Sequence, residues 1–440
     1  MAVIERFATD RELPPTEQLP PGPRLPALIQ SILFLTHNPW IAPRWQRRYG
    51  DVFTITVAPA GRAVVLNRPE HIREVFAGAA DTFHAGEGNA ILGPIMGEHS
   101  VLLIDEEAHR VARKRIMAAF RGESISGWAP IVEQLAAERV AEWPVREPFA
   151  VHPRLNDISL EVILRIVFGV SDEARLAEMR PLLQRLIRIG PVIFVGWVYP
   201  QLQRVGPWRR FNELKARVDD LLYAEIADRR GVADLGERTD VLSKLLIAAP
   251  EQTDAELRDH LITLLLAGHE TTASTLAWTL HDLARRPQLL ARVRRAAEED
   301  DDEYLEATVK EAMRLRPVIR NVARALAKPT RVAGYDLPAG VVLLPSIVLA
   351  HRREDSFADA AQFRPERFLD GSPPPATWIP FGGGLRRCLG ASLAMVEAVA
   401  VLKAVLRAVD LAPVGRSERP KTRNITTVPA RGARLVSLPR

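Results

Sequence analysis

Residues 381–390 read Phe381-Gly-Gly-Gly-Leu-Arg-Arg-Cys-Leu-Gly390 and hold the single cysteine of a 440-residue chain. Cys388 therefore has no intrachain disulfide partner. Three glycines just upstream supply backbone without Cβ constraint, able to turn N–H groups toward a sulfur or to come close to a flat ligand. From Ala391 the run Ala-Ser-Leu-Ala-Met-Val-Glu-Ala-Val-Ala-Val-Leu is strongly helix-forming. That predicts Cys388 at a helix N-terminus, where the macrodipole favours a thiolate able to bind a metal. A lone cysteine is ordinarily one more small buried side chain, and it is the density of fixed residues around this one that argues otherwise.

The spacing F-x-x-G-x-R-x-C-x-G, filled by Phe381, Gly384, Arg386, Cys388 and Gly390, resembles the haem-ligand loop of the cytochrome P450 family at every fixed position. The resemblance implies haem b, with Cys388 as the axial ligand of its iron and Phe381, Gly382, Arg386 and Gly390 around it. In that family the thiolate pushes electron density toward iron and favours O–O cleavage.

A second stretch reinforces the first. A long helix is predicted from Asp254 to about Arg285, opened by the capping box Thr253-Asp-Ala-Glu256 and closed before Pro287. At 1.5 Å per residue it spans roughly 50 Å. Its centre, Ala267-Gly-His-Glu-Thr-Thr272, sets glycine, an acid and two β-branched alcohols into a leucine-rich run, at a propensity cost on the order of 1–2 kcal/mol. One reading is a polar helix–helix contact. The other gives Gly268 to close approach of a planar cofactor and has the Thr271 hydroxyl bond back to Ala267, opening the helix locally. Glu270 and Thr271 then form an acid and alcohol pair able to pass protons to bound dioxygen. The hexapeptide resembles the oxygen-activation motif of the same family.

Glu311-Ala-Met-Arg314 places a carboxylate and a guanidinium on one helix face, which in isolation reads as a surface ion pair. The family resemblance implies a buried triad instead, completed by Arg367 of Pro365-Glu-Arg-Phe368 and holding the cysteine loop. His109 and Arg113, four apart on a helix beginning near Asp105, resemble the family's H-x-x-x-R clamp on haem propionates. Arg324 and Arg386 are further propionate candidates, and His351 matches a position near them.

Composition is permissive rather than decisive. An apolar fraction of 47% supports a large core. One cysteine excludes a disulfide framework, a four-cysteine zinc site and an iron–sulfur cluster held by this chain alone. A reducing cytoplasmic setting is expected. The basic and acidic residues, 59 against 54, are interspersed, so nucleic-acid binding is not indicated. The first apolar run, Ala27 to Leu35, contains Gln30 and Ser31 and is too short to span a bilayer, leaving weak interfacial contact as its open alternative. Leu19 to Pro26 is a stiff proline-rich opener. Two β-rich runs around Pro59-Ala-Gly61 predict a hairpin, and helical spacing takes over after Pro69. The acidic run Glu298 to Glu303 predicts a turn between helices.

The expected fold is mainly α with a small β-rich part: an N-terminal extension over 1–18, then one P450-like haem domain over 19–440. With no G-x-G-x-x-G after a strand, electrons are expected from a separate ferredoxin or flavodoxin and its NAD(P)H reductase, docked on Arg110, Lys114, Arg115, Arg387 and Lys403. The expected activity is a monooxygenase that uses O2 on a hydrophobic small molecule, with no transmembrane anchor. The rivals are a peroxygenase driven by hydrogen peroxide, a haem sensor or carrier with no need of Glu270 and Thr271, and an interaction protein without haem. Pocket-lining segments implied by the resemblance are Phe83 to Val101, Ile189 to Val205, Leu261 to Thr271, Pro317 to Val322 and Ile425 to Thr427.

Overall fold

The computed structural model describes residues 19–58, 61–120, 123–187, 193, 200–369, 371 and 373–440. The extension expected over 1–18, the turn residues 59–60 and most of the expected lining segment 189–205 lie outside them. The longer helices are α1 (Ala27–Tyr49), α2 (Pro69–Ala77), α3 (Glu106–Ala119), α4 (Glu123–Ala141), α5 (Val151–Val162) and α6 (Glu173–Ile187). They continue with α7 (Gly206–Arg230), α8 (Val241–Ala248), α9 (Asp254–Leu283), α10 (Pro287–Glu298), α11 (Asp302–Leu315) and α12 (Ala391–Ala408). Helical structure thus begins at Ala27, well before Pro69. Pro181 lies inside α6.

The described residues form two compact units, those within 84–124 and 160–269 in the first and those within 19–83, 125–159 and 270–440 in the second. The division falls within α9, between His269 and Glu270. The first unit is helical, carrying α3, α6, α7, α8 and the N-terminal part of α9. Its segment 85–101 is a succession of short helical turns pinned by hydrogen bonds, not an open loop: His99 N donates to Asp259 Oδ2 at 2.9 Å, and the Ser100 and Thr263 hydroxyls meet at 2.8 Å.

The second unit holds the β structure. The strands β1 (Val52–Val57) and β2 (Gly61–Leu66) form the expected antiparallel hairpin, with Val52 opposite Leu66. After β3 (Phe83–His84) and β4 (Pro148–Ala150) come β5 (Arg324–Leu326), β6 (Thr330–Val332), β7 (Tyr335–Leu337) and β8 (Val342–Pro345). The sheet order is β1-β2-β8-β5-β3, with β2 and β8 parallel. Alternation along β2 sends Val64 and Leu66 into one apolar cluster and Ala63 and Val65 into another, so the sheet is covered on both faces. The last strands are β9 (Val409–Pro413), β10 (Pro420–Arg423), β11 (Thr426–Pro429) and β12 (Arg434–Pro439). β10 and β11 form a hairpin, and β12 joins β4 to β9.

The proline-rich opener lies along β1: Thr54 N donates to Pro21 O at 3.0 Å, and a Cβ on Gly22 would stand 1.9 Å from Thr54 O. The acidic run 298–303 is the turn between α10 and α11, with Asp301 capping Tyr304 N at 3.0 Å.

Candidate active site

The cysteine loop is shaped by its neighbours. Cys388 N donates to Phe381 O at 2.9 Å, closing the loop two residues before Gly390, the N-cap residue of α12. The Cys388 side chain is exposed. The glycines answer to α2: a Cβ on Gly383 would lie 2.2 Å from the Phe76 ring, and one on Gly384 would lie 2.0 Å from Phe76 O. Gly384 also has φ +63°, a region that favours glycine. Close passage of α2 thus constrains both positions. Phe381 is set by aromatic packing, edge-on to Trp378 at 6.0 Å, which in turn meets Phe368 at 5.6 Å.

Beneath the loop stands the triad. Arg314 and Glu311 are fully buried and paired through two bonds, Nε to Oε2 at 2.7 Å and Nη2 to Oε1 at 2.8 Å. Arg314 also donates to the carbonyls of His351 (2.9 Å), Ala360 (2.8 Å) and Gln362 (3.0 Å). Arg367 Nε reaches Glu311 Oε1 at 3.3 Å, and Arg364 N donates to the same oxygen at 2.8 Å. A pair separated by three positions on α11 has become the hub of residues 351–368 because planar guanidinium groups can satisfy several carbonyls at once. His351 belongs to this bracing: its Nε2 accepts from Ile379 N at 2.8 Å. Burial, with Arg314 adding to it, brings its pKa down to about 3, so the ring is neutral.

The α9 helix opens as its sequence requires. Thr253 N donates to Glu256 Oε2 at 2.8 Å and Glu256 N to Thr253 Oγ1 at 3.2 Å, a reciprocal capping box. Its 30 residues give a length of about 45 Å. Most positions from Leu257 onward are buried, but Leu264, Leu266, Ala267, Gly268 and Thr271 are accessible, and all of these except Leu266 fall at helical spacing along one face. Leu261, Ile262 and Leu265, expected to line a pocket, are fully buried instead. The helix is α-helical through 267–272. A Cβ on Gly268 would sit 3.1 Å from Ile163 Cδ1, so its missing side chain also makes room for that neighbour.

Glu270 is buried and faces Arg423, the last residue of β10, with Nε 3.0 Å from Oε1. The two are close enough for an ion pair, although their orientation leaves Oε1 without an aligned hydrogen bond among the described residues. Burial pushes the Glu270 carboxyl above its ordinary range, and Arg423 and the Thr426 side chain offset only part of that. Arg423 was not expected from sequence. Its hairpin was singled out only at 425–427, and nothing in a local pattern links it to Glu270.

A match to the cytochrome P450 family model runs over residues 20–435. The chain belongs to the cytochrome P450 family. It is 47% identical over 431 residues to cytochrome P450 135A1 of Mycobacterium tuberculosis, covering 96% of each chain. It is 45% identical over 428 residues to cytochrome P450 135B1 of Mycobacterium bovis, covering 95% of this chain and 91% of that one. Among solved structures, the retinoic acid-bound cyanobacterial CYP120A1 superposes with a TM-score of 0.82 at 22% identity, over 96% of this chain and 99% of that one. The mainly helical P450 fold with small sheets is thus shared, and the chain is a haem-thiolate monooxygenase by family.

P450s bind haem, and the donors present suit it. An accessible soft sulfur stands beside the N-terminus of α12, in a loop fixed by a backbone hydrogen bond, with Arg386 two residues away. The other propionate candidates are found as follows. His109 is buried on α3 with Arg113 one turn on. Arg324 is buried in β5, its Nη1 donating to Ala323 O at 2.7 Å and its guanidinium 5.8 Å from the Phe76 ring, and is no surface arginine.

The basic residues expected to dock a carrier differ in their surroundings. Arg110 is bound twice by Glu107 at 2.7 Å, Arg115 pairs with Glu251 at 2.6 Å, and Lys403 is buried against Asp302 (2.5 Å) and Asp300 (3.0 Å). Arg110, Lys114 and Arg387 are exposed. Among the described residues no other cluster of His, Cys, Asp and Glu is arranged for a metal, and no helix is long and apolar enough to cross a membrane.

Proposed function

We propose that this P450 hydroxylates or epoxidises a hydrophobic organic molecule, drawing two electrons from a separate ferredoxin or flavodoxin served by an NAD(P)H reductase. Cys388 would hold the haem b iron, with Phe381, Gly382 and Gly390 shaping the loop around it. His109, Arg113, Arg324 and Arg386 are the cations offered to its propionates. When bound, the haem supplies dioxygen activation: one oxygen atom enters a C–H or C=C bond, and the other leaves as water with two electrons and two protons.

The chain's own residues must deliver those protons. Glu270 is fitted for it because burial lets it hold a proton more readily than an ordinary carboxylate, while Arg423 keeps the charged form accessible. Thr271 is the adjacent hydroxyl on the accessible face of α9, able to accept a proton from the Glu270 side and pass one on. Leu264 and Ala267 on the same face present apolar surface, which suits a hydrophobic substrate and excludes water. The observation carrying this reading is the Glu270–Arg423 pair beside Thr271. A haem carrier or sensor has no use for a buried, proton-holding acid there.

Two measurements test it. The reduced, carbon monoxide-bound spectrum should report thiolate ligation in the native protein and lose that signature in Cys388→Ser. Glu270→Gln and Thr271→Ala should keep the spectrum but divert electrons from product to peroxide or water. Unchanged coupling in both variants removes them from proton delivery, and full turnover with hydrogen peroxide alone would favour the peroxygenase.

A further inference from the structure

Helix α1 is built inside out. Its buried positions include Gln30, Ser31 and Asn38 alongside Phe34, Ala42 and Trp45. The outer positions Leu28, Ile29, Ile32 and Leu35, with Leu25 ahead of the helix and Trp40 further along, are 42–67% exposed. Leu25, Leu28, Ile29, Ile32 and Leu35, spaced at three and four residues, make one stripe, and Trp40 follows beyond a kink at His37.

This orientation is fixed by hydrogen bonds rather than by a hydrophobic face. Gln30 Oε1 accepts from Thr56 N at 2.9 Å while its Nε2 donates to Leu25 O at 2.7 Å. Ser31 Oγ accepts from Ala58 N at 2.8 Å and donates to Ala27 O at 2.7 Å. These two side chains satisfy the N–H groups of edge strand β1 and its continuation, where unpaired donors would otherwise meet solvent. Rotating the helix to bury its leucines would break the two bonds that Gln30 and Ser31 accept from Thr56 N and Ala58 N. The apolar stripe is therefore held outward.

The charges bordering the stripe identify what it meets. From Leu25 to Pro43 no residue is charged, and no carboxylate occurs from Arg24 until Asp51. Arg24, Arg44, Arg47 and Arg48 are exposed at the two ends. Arg419 lies over the Trp40 ring at 5.7 Å, pairing a cation with an amphipathic aromatic side chain. An apolar stripe with an exposed tryptophan and only cations at its borders complements acyl chains beneath anionic headgroups. We propose that the outer face of α1 docks on an anionic lipid bilayer surface, lying in the interface without crossing it.

The test is co-flotation of the purified holoprotein with unilamellar vesicles of mixed phosphatidylcholine and phosphatidylglycerol. The native protein is expected to float with them, and to float less in high salt or with phosphatidylcholine alone. Leu28→Ser combined with Ile32→Ser should weaken partitioning about tenfold or more, because two exposed aliphatic side chains leave the interface. Both positions are solvent-facing, and an unchanged carbon monoxide spectrum verifies that the double variant is folded. Failure of the native protein to float, or equal flotation of the double variant, overturns the proposal. So does a native dimer in sedimentation that the double variant dissociates, which would assign the stripe to a second copy of this chain.

Discussion

Glu397 is enclosed in α12, nine positions beyond Cys388, with 2% of its surface exposed. Its Oε1 has no hydrogen-bond partner among the described residues. Burial pushes its pKa up to about 8, and the neighbouring Ser159 hydroxyl pulls only weakly the other way. The folded protein therefore keeps a proton that the unfolded chain releases near pH 4.5. The stability tied to that proton is complete below the unfolded value and is lost as pH rises toward the folded one. Each pH unit inside this window is worth about 1.4 kcal/mol, so moving from about pH 5 to about pH 7.5 removes roughly 3 kcal/mol.

Glu397→Gln keeps the shape and a neutral head but cannot titrate. Other ionisable groups act equally on both proteins and cancel in the difference. With an unfolding entropy of about 2.1 cal/mol/K per residue, 440 residues give about 0.9 kcal/mol/K, which converts the difference to ~3–4 °C. The assay is the thermal midpoint of both holoproteins across that pH range at constant ionic strength. The gap between them should widen in favour of Glu397→Gln by that amount as pH rises. Parallel profiles would refute the reasoning, since they would mean that Glu397 ionises alike in the folded and unfolded states.

Other outcomes follow from the site. Glu270→Gln should lower productive turnover by on the order of 10²-fold while substrate-induced spectral shifts persist, as expected for loss of a positioned acid. Arg423→Gln removes the cation facing Glu270, so the alkaline limb of the coupling–pH profile should move to higher pH; an unmoved limb breaks the link between the two residues. Arg314→Lys cannot reproduce the five bonds of the guanidinium, and the resulting loss of about 3–5 kcal/mol should show as poor haem retention and a lower denaturation midpoint. Gly384→Ala places a Cβ against Phe76 O at positive φ and should cost about 2–4 kcal/mol, read from the same midpoint.

What the sequence made legible is what is local. The cysteine loop, the capping box of α9 and the pairing of Glu311 with Arg314 each lie within a few residues and could be read from spacing. The reasons behind them were often not local. Gly383 and Gly384 read as freedom near a ligand, yet the constraint comes from Phe76, some three hundred positions earlier. Lys403 read as a docking cation, but the turn it restrains, Asp300 to Asp302, is remote in sequence. The run Ala27 to Leu35 reads as apolar but not as a helix, because its outer face is apolar and its inner face partly polar, the reverse of the pattern that marks a surface helix. Arg423 was invisible because only the fold of the β10–β11 hairpin brings it to Glu270.

Comparison of two buried carboxylates explains why one reads as structural and the other as functional. Glu311 receives Nε and Nη2 of Arg314, Nε of Arg367 and the backbone N–H of Arg364, all within 3.3 Å, and is surrounded by rigid partners that leave it nothing to exchange. Glu270 has a single guanidinium, a third exposed and held on a hairpin end, in an orientation that completes no hydrogen bond to Oε1. A fold that can satisfy Glu311 so fully has the means to satisfy Glu270 as well. Leaving it with a partly solvated guanidinium and the Thr426 side chain keeps both of its protonation states accessible, which a brace never needs and a proton donor always does. The asymmetry lies in how the two acids are partnered, and it favours catalysis over packing at Glu270.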